Sequence, residues 1–128
     1  MRWILDGNNI MGAGGDGWWN DPQGAAARLA QRVAEWCRTH DDDVVLVFDG
    51  RPVEGVAAKA GGNLGIEFAP APKRDAADDH IVALVEDLYV EPDLVVVTSD
   101  KGLVARLPPG VDVAPAGRFR RDRLGLRR

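Results

Sequence analysis

The chain has 128 residues, 45% of them hydrophobic and 28% charged, which suits one soluble domain with its own core and excludes a disordered polypeptide. Its net charge of −4 hides an asymmetry: residues 117–128 carry six Arg and one Asp, a local +5, which leaves about −9 on the other 116 residues. The apolar runs are too short to span a membrane, "MRWILDG" is too short for a signal peptide, and a single cysteine, Cys37, excludes an internal disulfide or a cysteine-based zinc cluster; a cytoplasmic location is expected.

In chain order, the first predicted element is a strand over Arg2–Asp6, followed by a turn at Gly7 and Asn8. Asp21-Pro22 supplies an N-cap and a proline at the first helical position, and Ala26, Leu29, Ala30, Val33 and Cys37 recur at helical spacing, so a helix is expected over about Pro22–Thr39. Of the preceding Trp18-Trp19 pair, Trp19 is expected to staple the start of that helix, with Trp3 and Trp36 as packing residues. "VVLVFD", Val44–Asp49, is a nearly continuous β-branched run of the kind buried on both faces of a parallel sheet. The glycine-rich Gly50–Gly65 reads as a loop with one helical turn around Val56–Lys59, and Ile66–Ala69 as a third strand. A helix follows over about Asp75–Tyr89, then strands over Leu94–Ser99 and Val111–Ala114, with a short helix from near Gly102 stopped by Pro108-Pro109. Strands alternating with helices predict a single three-layer α/β domain with a mainly parallel central sheet of about five strands, over residues 1–117, and an Arg-rich tail over 118–128.

In such a sheet, functional groups collect beyond the carboxyl ends of the strands. Three predicted strands end in aspartate: Asp6, Asp49 and Asp100. A fourth acid comes from the helix. With Ile81 at zero and about 100° per residue, the apolar stripe centres near 30°, and Asp78 falls near 60°, inside it. On the same wheel Asp75 lies near 120°, on the margin, Asp79 near 160° and His80 near 260°, so Asp79 and His80 are expected to face away. Singly, each acid has a structural explanation as a turn or helix-capping residue. Together they repel one another, and a divalent cation relieves that conflict; sulfur-free, oxygen-rich surroundings point to Mg²⁺ or Mn²⁺. Cations flank this edge as candidate phosphate contacts: Arg51, Lys73, Arg74 and Lys101, with Arg118, Arg120 and Arg121 in the tail.

"ILDGNNI", "VFDG", "ADDHI" and "VTSD", in this order, resemble the NYN domains of the PIN-like nuclease superfamily, in particular the YacP-like ribonucleases. The resemblance spans Arg2 to about Gly117 and implies a PIN-like fold, with an aspartate cluster that binds Mg²⁺ or Mn²⁺ and cleaves RNA to 5′-phosphate and 3′-hydroxyl ends. By position it assigns Asp6, Asp49, Asp78 and Asp100 to catalysis and Asp6, Asp78 and Asp100 to the metal. Asn9, Ser99 and Asp75 would orient carboxylates or touch phosphate, and Asn8 stands where the family commonly has an aromatic residue. RNA is the implied partner, ribosome- or translation-linked RNA among the kinds admitted. Two other readings compete: a catalytically silent RNA-binding module, and a receiver-like phosphoacceptor domain using Asp49. The second leaves Asp78 without a role and lacks the paired acids expected after the first strand.

Overall fold

The computed structural model describes residues 1–14, 17–70, 76–88 and 93–126. Five strands form one parallel sheet: β1 (Arg2–Asp6), β2 (Asp43–Asp49), β3 (Leu64–Ala69), β4 (Leu94–Val97) and β5 (Asp112–Ala114), in the spatial order β3-β2-β1-β4-β5. The helices are α1 (Gly7–Gly12), α2 (Pro22–Cys37), α3 (Glu54–Ala57), α4 (Ala76–Leu88), α5 (Lys101–Ala105) and α6 (Ala116–Asp122), and a 3₁₀ turn spans Trp18–Asn20. Alternation along the strands divides the core between the two faces. Trp3, Leu5, Leu46, Phe48 and Val97 pack with α1, α2, α3 and α6, whereas Ile4, Val47, Leu94 and Val96 pack with Ala77, Ile81 and Val85 of α4 and Leu103 of α5. Helices therefore cover both faces of an all-parallel sheet, the three-layer α/β domain that the sequence predicts.

The strand order fixes where a site can form. The chain builds β1, β2 and β3 outward in one direction, then crosses back to place β4 on the other side of β1. The order reverses between β1 and β4, and the crevice beyond their carboxyl ends is the place where such sheets bind ligands.

Two helices depart from the sequence reading. Gly7 and Asn8 form no turn but, with Asn9, the first part of α1, which begins directly at the end of β1. Its six residues are too few to show a helical period. The boundary drawn at residue 117 falls inside α6, and the basic segment is no appendage: Phe119 and Leu124 are buried in the core. Phe119 meets Trp36 at 5.1 Å and Trp3 at 5.9 Å, and the Arg123 guanidinium lies 5.5 Å from the Trp3 ring. Alternating arginines concealed an amphipathic face of only a few apolar residues. Leu124→Ala should cost about 2–3 kcal/mol in urea denaturation, whereas a solvated tail would give no change.

Smaller differences have local causes. Trp18, not Trp19, packs on the core, and Trp19 is 60% exposed. The helical turn in the glycine-rich loop comes earlier, at Glu54–Ala57, and β3 begins at Leu64 because a Gly61–Leu64 bridge closes a tight turn before it. His80 is only partly exposed, because its imidazole pairs with Glu67 of β3. No helix among the described residues is long and apolar enough to cross a membrane.

Candidate active site at the carboxyl edge of the sheet

Asp6 is the last residue of the central strand, only 3% exposed, between β2 and β4. Thr98, immediately after β4, donates its hydroxyl to Asp6 Oδ2 at 2.8 Å and accepts the Asp100 N–H at 3.1 Å. Burial raises the Asp6 carboxyl to about 6; the Thr98 bond and the Asn9 N–H work against that rise, and the charges of Asp78 and Asp100 add to it. A buried carboxylate that two other carboxylates repel is costly for a fold to keep. Such perturbed acids in a crevice mark functional sites.

Asp78 stands in the first turn of α4, half-buried and coupled to Asp6, on the sheet-facing side that the helical wheel selects. Its neighbour Asp79 is turned toward α5 and forms an ion pair with Arg106 at 2.8 Å. Asp100 is the N-cap of α5, its Oδ1 accepting from the N–H groups of Gly102 (2.8 Å) and Leu103 (3.2 Å). Asp49 places its Oδ1 2.7 Å from the Ala77 N–H and so anchors the start of α4 beside Asp78. For Asp49 and Asp100 the capping explanation is therefore correct as far as one oxygen goes. These bonds engage Oδ1 of each and, among the described residues, leave Oδ2 for other work.

The two asparagines after Asp6 have parallel tasks. Asn8 Oδ1 accepts the Asp49 N–H at 2.8 Å, and Asn9 Oδ1 accepts the Ser99 N–H at 2.7 Å. Each side chain thus reaches from the start of α1 to the end of one neighbouring strand, Asn8 to β2 and Asn9 to β4. Together they fix the spacing of the strand ends that carry the acids. Ser99 in turn accepts the Ala116 N–H on its Oγ at 2.8 Å, so α6 also starts at this edge. Sequence reasoning missed Asn8 as a latch and Thr98 as the link between Asp6 and Asp100. The polar pair Thr98-Ser99 closing an apolar strand was the available signal for the second.

The flanking cations divide. Arg51, Lys101, Arg118 and Arg121 are exposed, and Arg118 lies in the first turn of α6, whose Ala116 N–H bonds Ser99. Arg120 is buried, with its guanidinium against Gly14 and an Nη1–H donated to the Ile10 carbonyl at 3.2 Å. Its expected contact with RNA is replaced by a tie between α6 and α1. Lys73, Arg74 and Asp75 lie outside the described residues. A concavity of about 480 Å³ lies along α2 and holds none of the acids.

The donors around Asp6 are all oxygens, a set that suits Mg²⁺ or Mn²⁺. Among the described residues, no three acid, His or Cys side chains come close enough together to hold an ion by themselves.

The profile of the YacP-like NYN domain matches residues 3–105, the span that carries all four acids. Two crystal structures of Rae1 (YacP) from Bacillus subtilis are similar in fold. The W164L mutant gives a TM-score of 0.71 at 22% identity, over 95% of this chain and 73% of the other. The second structure gives 0.70 at 22% identity, over 95% and 72%. At that identity the likeness concerns the fold alone. A comparison with curated proteins finds no match.

Proposed function

The chain belongs to the YacP-like NYN domain family, which is nuclease-like and RNA-related, and we propose that this member is a metal-dependent endoribonuclease acting at the acid edge of its sheet. The observation that carries the reading is Asp6, a buried carboxyl raised to about 6 and coupled to Asp78 and Asp100 at the point where the strand order reverses. Asp6, Asp78 and Asp100 would hold Mg²⁺ or Mn²⁺, one or two of them directly and the rest through water. Bound there, the ion would offset negative charge on the phosphodiester and acidify a water molecule.

The remaining residues work by position. Thr98 fixes the Asp6 carboxylate through Oδ2, and the Asn9 N–H adds a second bond to it. Asp49 holds the first turn of α4, and with it Asp78, at the edge. Asn8, Asn9 and Ser99 keep the three strand ends and α6 in register, the outer support that sets a site's geometry. Arg51, Lys101 and Arg118 would neutralise phosphates of the bound strand.

Wild-type protein with Mn²⁺ should cleave single-stranded RNA, EDTA should abolish the reaction, and Asp78→Asn should lower the rate at least about 100-fold while the far-UV spectrum is unchanged. RNA binding with no cleavage that Asp78→Asn removes would instead identify a silent RNA-binding module.

A further inference from the structure

Beside the acids, on the α2 side of the sheet, a cleft of about 280 Å³ opens over the carboxyl ends of β2 and β3. It shares three residues with the site already described, Asn8, Asp49 and Arg51. The aromatic wall consists of Phe48 and Phe68, whose rings lie nearly parallel, 27° apart in plane with centroids at 6.0 Å. Phe48 is buried and Phe68 half-buried, so it is Phe68 that presents ring surface to the cleft. Val53 and Pro52 continue the apolar lining from the loop after β2. The polar side chains of the lining are the carboxamides of Asn8 and Gln23, the carboxylate of Asp49 and the guanidinium of Arg51.

The free valences of those groups are specific. Asn8 has its Oδ1 committed to the Asp49 N–H, and its Nδ2 has no partner among the described residues. Arg51 is exposed and forms no ion pair among them. An apolar slot with an aromatic wall, an amide donor and a guanidinium without an ion pair among the described residues is complementary to a planar heterocycle carrying acceptors and attached to a phosphate. The volume sits near the lower end for small-ligand sites, about 300 Å³, which is room for one base. Neighbouring strands lie about 5 Å apart, so the cleft over β2 and β3 is one to two strands from Asp6. A nucleotide seated there stays in reach of the acid edge.

We propose that this cleft is a nucleobase subsite: it receives one base of the RNA strand against Phe68, with Asn8 Nδ2 reading the base edge and Arg51 meeting the adjoining phosphate. The subsite deepens the ribonuclease reading and rests on it for its purpose, but not for its test. The base contributes affinity and some preference among bases, and places the neighbouring phosphodiester over Asp6 and Asp78.

Binding can be followed without catalysis by titrating the whole protein, free of metal, with the four nucleoside 5′-monophosphates and with ribose 5-phosphate, and recording amide NMR shifts. The nucleotides should move the amides of Asn8, Gly50, Arg51, Val53 and Val56, and ribose 5-phosphate should leave Val53 and Val56 unmoved. Ala26→Leu, which adds volume from the α2 side of the cleft, should weaken nucleotide binding about tenfold, within the range of base–aromatic stacking. Arg51→Ala, at an exposed position that cannot endanger folding, should weaken every phosphate-bearing probe alike. Equal shifts from ribose 5-phosphate and nucleotides, or no nucleotide shifts in the cleft, would overturn the subsite. Cleavage assays with wild-type and Asp78→Asn report separately on hydrolysis. Nucleotide binding without RNA cleavage would sink the ribonuclease reading and leave the subsite; cleavage with a silent cleft would do the reverse.

Discussion

Asp6→Asn should make the metal-free protein more stable at neutral pH and abolish RNA cleavage, two effects that oppose each other. The Asp6 carboxyl is raised from 3.8 to about 6, a shift that puts about 3 kcal/mol against its charged form. The sign follows from proton counts. Between those two values the folded protein holds a proton on Asp6 that the unfolded chain has released, so this group's contribution to stability falls as pH rises through that window. Below about 4 the penalty is absent, and above about 6 it is complete. Asparagine keeps an oxygen for the Thr98 hydroxyl and carries no charge to desolvate. It should therefore gain about 1–3 kcal/mol over wild type at pH 7 and little at pH 4, as measured by urea denaturation at both values.

Cleavage should fall about 1,000-fold or more in the same variant, because the central carboxylate of the proposed metal site is gone. Mn²⁺ should raise the melting temperature of the wild type and leave that of Asp6→Asn nearly unchanged. A variant less stable than wild type at pH 7 would mean that Asp6 supports the fold and is not strained within it. Retained cleavage would remove it from catalysis. The prediction embodies a general trade: a protein keeps a destabilising group where chemistry needs it.

The acids were legible in the sequence because strand ends and helix faces are periodic features. "ILD", "VFD" and "TSD" terminate apolar runs, and a parallel sheet collects such termini at one edge. Asp78 was legible because a carboxylate inside an apolar stripe stands out on a helical wheel. What was not legible depends on pairings between residues far apart in the chain. Asn8 bonds across 41 residues to Asp49, Asn9 across 90 to Ser99, and Thr98 across 92 to Asp6. No spacing rule announces those partners. Asn8 and Asn9, adjacent and chemically identical, differ only in which strand lies within reach, and that is a property of the sheet order. Helix α6 was hidden for another reason. Its charge pattern describes the exposed face, while Phe119 and Leu124 supply burial that depends on Trp3 and Trp36 being beneath them.

Gly7→Ala should be the most damaging small substitution in the chain. Gly7 is the first residue of α1, where exchanging glycine for alanine ordinarily favours a helix, by up to about 1 kcal/mol. Here a Cβ would stand 2.6 Å from the Val47 carbonyl oxygen and 2.7 Å from the Phe48 ring. The carbonyl belongs to the backbone of β2, which pairs with β1 in register from Arg2–Asp43 to Asp6–Val47, and cannot withdraw without opening that ladder. The Phe48 ring is buried against the core and has little room to move. Relief would have to come from lifting α1 away from the sheet. That movement would draw Asn8 from Asp49 and Asn9 from Ser99, loosening both latches at once. The net cost should be at least about 3 kcal/mol, overpacking against backbone being among the few routes to so large an effect. Urea denaturation would register it as a lowered midpoint. If the variant folds at all, its cleavage rate should fall by more than its stability requires, because the strand ends carrying Asp6, Asp49 and Asp100 lose their common spacing. Unchanged stability would show that α1 does not sit on β2 as closely as these distances require, and the explanation of the two asparagines would fall with it.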